Sequence, residues 1–98
     1  MAHKVTTVAS PATSPTTNTQ LIAAGARQTL RLHNRSANTT VYVTQNNAAT
    51  SATAGNKTLL PGDTLEVDGA AATAAWYMVA DAGVPSVPTV DVHTFDFS

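Results

Sequence analysis

Apolar and polar residues alternate along several short stretches of the chain, and this is the pattern of β-strands with one buried face. The clearest stretch is 27–34, in which Leu30 and Leu32 alternate with charged or polar residues. The same alternation recurs in 39–45 and in 64–68. Three half-buried strands are therefore predicted, and we expect their apolar residues to face a common core.

Other stretches add strands and the turns between them. Residues 74–80 are apolar on both faces, which predicts a central strand covered on both sides. Shorter candidate strands lie at 19–23 and within 84–97. Pro61 followed by Gly62 is a turn signature, because Pro presets φ and Gly accepts a positive φ at the next position. A turn at 35–38 predicts that the strands on either side of it form a β-hairpin.

These elements predict the fold class. About seven short antiparallel strands with regular turns are typical of a small β-sandwich or jelly-roll-like barrel. Essentially no helix is expected, because the chain has a single Glu and two Lys among its 98 residues. The predicted core consists of Leu30, Leu32, Val41, Val43, Leu65, Val67, Trp76 and Met78.

The chain divides into an extended N-terminal arm, 1–18, and a β-sandwich domain, 19–98. Two prolines and many small polar residues in 10–18 favour an extended linker, with a short strand at 5–8. Two interpretations of the arm stay open: a free tail, or a segment that lies on a neighbouring subunit. In the second, Val5 and Val8 are its contact residues.

Composition excludes several classes of function. Charged residues make up 11% of the chain and the net charge is −1, so the clustered Lys and Arg that nucleic acid requires are missing. Cysteine is absent, which excludes disulfides. No apolar run approaches the roughly 20 residues of a membrane span, and the N-terminus lacks the apolar core of a secretory signal. We therefore expect neither nucleic acid nor membrane as a partner.

The polar residues do not form a recognisable catalytic or metal motif. Glu66 and Asp68 share a strand face, but this spacing alone is weak support for paired carboxylates in a cleft. His3, His33 and His93 have no ligand spacing between them. We predict no catalytic residue, no cofactor and no metal, and hence a protein that is not an enzyme.

Two groups of residues are candidates for protein interaction. Arg27, Arg31 and Arg35 have the same parity, so a regular strand would place them on one exposed face that suits acidic residues of a neighbour. Phe95 and Phe97 share a face near the C-terminus. Aromatic side chains at that position need a packing partner, either within the chain or across a subunit boundary.

The order of the motifs resembles a known family. The motifs are Arg27-x-x-Leu30-x-Leu32-x-Asn34-x-Ser36, Val41-Tyr42-Val43, Leu60-Pro61-Gly62-Asp63-x-Leu65-Glu66 and Ala75-Trp76-Tyr77-Met78-Val79-Ala80. Together they resemble the small β-sandwich virion proteins of tailed bacteriophages, of the capsid decoration or cement type. The resemblance implies a structural role as a homotrimer that binds the major capsid protein. It also implies a location on the capsid surface after synthesis in the cytoplasm of the bacterial host.

Two alternatives remain. One is a different virion role, as a head–tail connector, a tail subunit or the base of a fibre. The other is a carbohydrate-binding β-sandwich module, for which Tyr42, Trp76 and Tyr77 would have to supply the aromatic platform.

Overall fold

The computed structural model of the chain describes residues 3–9, 17–50, 55–81, 83–84 and 87–95. These residues form eight strands and one helical turn, so the all-β prediction is confirmed and only the single turn departs from it. The elements are β1 (His3–Ala9), β2 (Thr19–Ile22), β3 (Thr29–Asn34), β4 (Val41–Thr44), β5 (Lys57–Leu59), β6 (Thr64–Asp68), α1 (Ala70–Thr73), β7 (Trp76–Val79) and β8 (Thr89–Phe95).

The strands form two four-stranded antiparallel sheets, as in a small β-sandwich. The front sheet has the strand order β1-β8-β3-β6, and the back sheet has the order β2-β7-β4-β5. β7 lies inside the back sheet, which confirms the central strand predicted at 74–80. Most strands are followed along the chain by a strand of the other sheet, so the contacts that hold each sheet together are long-range.

The core lies between the two sheets, where the inward residues of both meet. Leu30 and Leu32 on β3 and Val41 and Val43 on β4 are fully buried, as their alternation predicted. The other predicted members also join this cluster: Trp76 and Met78 are buried, and Leu65 and Val67 are half-buried on the edge strand β6. Further core residues that the sequence did not single out are Leu21, Leu59, Ala72, Val90 and Val92.

The predicted β-hairpin of 27–34 with 39–45 is wrong. β3 pairs with β6 and β8 in the front sheet, whereas β4 pairs with β5 and β7 in the back sheet. The reason lies at Asn34, which is fully buried at the end of β3. Its side-chain amide donates to the carbonyls of Thr39 at 2.9 Å and Leu59 at 2.8 Å. These bonds direct the chain across the core instead of back along β3.

The first strand belongs to the front sheet. β1 pairs with β8 along its whole length, from His3 opposite Phe95 to Ala9 opposite Thr89. The short strand predicted at 5–8 is thus present as part of β1. Residues 3–9 therefore neither form a free tail nor lie on a neighbouring subunit, and for them both interpretations of the arm are wrong. Residues 10–16 lie outside the described residues, so the boundary at residue 18 stays a prediction.

Candidate functional site

The outer face of the front sheet carries polar and aromatic side chains in regular rows. Because Leu30 and Leu32 point inward, their neighbours on β3 point outward, and the strand register extends this pattern across all four strands. The three rows, each written from β1 to β6, are His3–Phe95–Thr29–Asp68, Val5–His93–Arg31–Glu66 and Thr7–Asp91–His33–Thr64. We call these twelve residues the outer face.

The polar side chains of the outer face pair across neighbouring strands. Between β3 and β6, Arg31 donates to Glu66 Oε1 from Nε at 3.1 Å and from Nη2 at 2.7 Å. Between β1 and β8, the hydroxyl of Thr7 donates to Asp91 Oδ1 at 2.6 Å. Two further pairs join β3 to β6: Thr29 with Asp68 at 2.8 Å and His33 with Thr64 at 3.0 Å. The carboxylates therefore engage neighbours on the sheet, and Glu66 and Asp68 line an open pocket together with Thr29, Arg31 and Phe95.

One end of the outer face is aromatic. The ring of Phe95 lies against the ring of His3, with centroids 4.5 Å apart and planes 2° from parallel. The guanidinium carbon of Arg31 lies 5.3 Å from the centroid of the same ring, within the range of a cation–π contact. Val5, in the next row, is 49% exposed. An amphipathic patch of His3, Val5, Arg31 and Phe95 results, and we call it the aromatic patch.

Two histidines meet beside the aromatic patch. His3 Nε2 and His93 Nδ1 are 3.1 Å apart, although the residues are far apart in the sequence. Partial burial lowers the pKa of His93, and the neighbouring His3 and Arg31 act in the same direction, against the carboxylate of Asp91. Among the described residues, no three or more His, Asp or Glu side chains come together as a metal site.

The structure separates the three arginines that the sequence grouped. Arg31 lies on the outer face as predicted. Arg35 is exposed just beyond the end of β3, where its Nη1 lies 3.6 Å from Asp91 Oδ1. The expectation that Arg27 is exposed is wrong, because only 6% of that residue is accessible. Residue 27 precedes β3, so the alternation of the strand does not extend to it.

The buried guanidinium of Arg27 has a structural explanation. Nη1 donates to the carbonyls of Ala72 at 2.7 Å and Ala74 at 3.2 Å, at the end of α1. Nη2 donates to the carbonyl of Ala23 at 2.5 Å. The side chain thereby satisfies main-chain acceptors that a helix end and a loop leave without partners. Arg27 therefore stabilises the interior of the fold and is not exposed for contact with a partner.

The apolar candidates near the termini also differ from one another. Val5 projects outward from β1, whereas Val8 lies on the opposite face of the strand and packs against the core. Phe95 and His93 share the outer face, as their parity predicted, while Phe97 lies outside the described residues. Of these candidates, Val5 and Phe95 lie on the surface, in adjacent rows of the outer face.

Among the three aromatic residues proposed as a sugar platform, Trp76 is buried, whereas Tyr42 and Tyr77 are half-buried. Trp76 is 4% exposed and its indole nitrogen donates to the carbonyl of Ala71 at 2.8 Å. The hydroxyl of Tyr42 donates to Asp81 at 3.1 Å, and this bond, with the charge of the carboxylate, raises the pKa of Tyr42. Trp76 is therefore a core residue, and it cannot present a flat ring to a sugar.

Comparisons with other proteins add no identification. Neither protein-family models, nor curated proteins, nor solved structures match this chain. Within the part of the chain that the structure describes, no helix has the length and apolar character of a membrane span.

Proposed function

We propose that this protein is a non-catalytic structural subunit that binds another protein through the aromatic patch on its outer face. In the form suggested by the sequence resemblance, it is a capsid decoration protein of a tailed bacteriophage, and the partner is the major capsid protein. The observation that carries the proposal is Phe95, which is half-buried between His3 and Arg31 beside the exposed Val5.

The residue types in the aromatic patch suit protein recognition. Aromatic residues and arginine are enriched in protein interfaces and supply most of their hot spots. Here both are held in place before binding, because Arg31 is bonded to Glu66 and Phe95 is covered by His3. A patch that is already ordered loses little side-chain entropy when a partner covers it.

The charges around the aromatic patch indicate the chemistry of the partner. Three carboxylates lie on the outer face, at Glu66, Asp68 and Asp91, against the single guanidinium of Arg31. Asp68 accepts a hydrogen bond from a threonine hydroxyl, which leaves its negative charge in place, whereas the charge of Asp91 is partly offset by Arg35 at 3.6 Å. We therefore expect a partner surface with an apolar centre and a rim of Lys or Arg.

The proposal can be tested by adding charge to the apolar side chain of the aromatic patch. Val5→Asp should abolish co-sedimentation with phage heads assembled without this protein, because a carboxylate would have to lose its water where the partner is proposed to be apolar. Leu60→Asp is the matched control, since Leu60 is 55% exposed but lies in the turn before β6, at the corner of the front sheet opposite the aromatic patch. Loss of binding in both variants, or in neither, would contradict the proposed surface.

The assembly state is tested separately. From the resemblance we expect a homotrimer, and light scattering of the purified protein measures it. A ring of higher order would favour a head–tail connector instead. Because the outer face is proposed to contact the capsid, Val5→Asp should leave the oligomeric state unchanged.

A further inference from the structure

The attachment of β1 depends on few side chains. β1 is the edge strand of the front sheet, and all of its residues except Val8 are exposed. Besides the main-chain ladder to β8, its outward side chains contact β8 through His3 at one end and Thr7 at the other. Strands with little buried area open more readily than the rest of a domain, so these contacts weigh heavily in holding β1.

The contact between His3 and His93 requires a free lone pair. The two rings are only 16° from parallel, their centroids are 5.4 Å apart, and His3 Nε2 faces His93 Nδ1 at 3.1 Å. One nitrogen must donate a hydrogen and the other must accept it. Two neutral rings can form this hydrogen bond, and so can one neutral and one protonated ring. A pair in which both rings are protonated has two facing N–H groups and cannot.

The charged groups around the His3–His93 pair disfavour the binding of a second proton. Arg31 on β3 brings a fixed positive charge to His93, and His33 on the same strand adds another when it is protonated. Asp91 on β8 acts in the opposite sense, but it also accepts the hydrogen bond of Thr7. Glu66 on β6 is paired with Arg31. Burial is the largest cause that lowers the pKa of His93, and the charge of His3, which lies against it, acts in the same direction. Both weaken when β1 detaches, whereas Arg31 and His33 stay in place, so the attached form of β1 binds protons less readily than the detached form.

We propose that acid releases β1 from β8, with the His3–His93 pair as the sensor. The direction follows from proton linkage, because the form that binds protons more tightly gains as the pH falls. The attachment is complete above the ordinary histidine pKa of 6.5 and weakens as the pH falls below it. Release leaves the outer edge of β8 without a partner and disperses the aromatic patch, since His3 and Val5 leave with β1. The proposal does not depend on the proposed function.

The test compares the two sheets of the same molecule. All three histidines lie in the front sheet, so the back sheet is an internal reference. Amide hydrogen exchange by NMR, corrected for the intrinsic effect of pH, is measured at about pH 7.5 and about pH 5. Protection of the β1 amides should fall by about tenfold or more, while that of β4 and β7 stays constant. A parallel change in both sheets would overturn the proposal.

Variants that keep the hydrogen bond between residues 3 and 93 but cannot bind a proton provide the second part of the test. His3→Gln and His93→Asn place an amide close to each interacting ring nitrogen, and the double variant should keep β1 attached at both pH values. His33→Asn is the control, because His33 bonds Thr64 on the far strand, and it should retain the acid effect. Acid release that persists unchanged in the double variant would refute the sensor. Should the double variant unfold, histidine titration in the natural protein decides: release must follow the second protonation of the pair.

Discussion

The side-chain amide of Asn34 donates a hydrogen bond of 2.8 Å to the main-chain carbonyl of Leu59, and this bond joins the two sheets of the sandwich. Asn34 ends β3 in the front sheet, and Leu59 ends β5 at the edge of the back sheet. The same amide donates to Thr39, and its oxygen accepts from the main chain of Ser36. One buried polar side chain thus determines where the chain passes from one sheet to the other.

Replacing Asn34 with aspartate should destabilise the protein strongly. Asn34→Asp keeps the shape but removes both donors and points a carboxylate at two carbonyl oxygens. We expect a loss of about 2–4 kcal/mol in the free energy of unfolding, measured by urea denaturation. Asn38→Asp, exposed in the same connection, should change it by less than about 0.5 kcal/mol. Equal effects of the two substitutions would contradict the role given to Asn34.

The buried guanidinium of Arg27 leads to a second prediction about stability. Arg27→Met keeps the apolar stem but leaves the carbonyls of Ala23, Ala72 and Ala74 without their donor. The free energy of unfolding should fall by about 2–3 kcal/mol. Arg35→Met is the matched control, because the Arg35 side chain is 61% exposed, and its effect should stay within about 0.5 kcal/mol. The prediction fails if the ranking of the two variants is reversed.

The ion pair of Arg31 with Glu66 should add little to stability despite its short distance. The two side chains are 42% and 49% exposed, so water and salt screen their attraction. A double-mutant cycle with Arg31→Ala and Glu66→Ala should give a coupling energy below about 1 kcal/mol, and less at high salt. A coupling above about 2 kcal/mol would show that the pair stabilises the fold itself. Its value here lies in orienting Arg31 toward Phe95.

Tyr42 should ionise at higher pH than an ordinary tyrosine. Its hydrogen bond to Asp81 and the charge of that carboxylate raise its pKa above 10.0. A raised pKa means that the folded state holds the proton more tightly. The contribution of this bond is therefore complete below pH 10.0 and is lost as the pH rises through the pKa of the folded state. Ultraviolet titration of tyrosinate should show the late ionisation disappear in Tyr42→Phe and move to lower pH in Asp81→Asn.

The strands and their inward faces could be predicted because both are local properties. A period of two along Leu30 and Leu32, or along Val41 and Val43, is visible without knowing what each strand pairs with. The sheet partners were not visible in the same way. The turn at 35–38 predicted a hairpin, and only the burial of Asn34 against carbonyls of a distant strand shows why the chain crosses the core.

Only those parts of the outer face that depend on alternation within one strand could be predicted. Parity placed Phe95 and His93 together, because both lie on one strand. It could not place His3 beside them, since that contact depends on the register of two strands far apart in the sequence. Arg27 was misplaced because the period of two was extended past the first residue of β3. A buried arginine leaves no local signal that distinguishes it from an exposed one.

The position of β8 between β1 and β3 has a consequence for how the chain is made. On the ribosome, β1 is synthesised before every strand of its own sheet, yet its partner β8 comes after β2 to β7. Until β8 emerges, β3 has one open edge and β1 has no partner, so the nascent chain carries one open sheet edge and one unpaired strand that other chains could capture. When β8 emerges it inserts between them and pairs with both in one step, so the front sheet is completed only after all the other strands have been made.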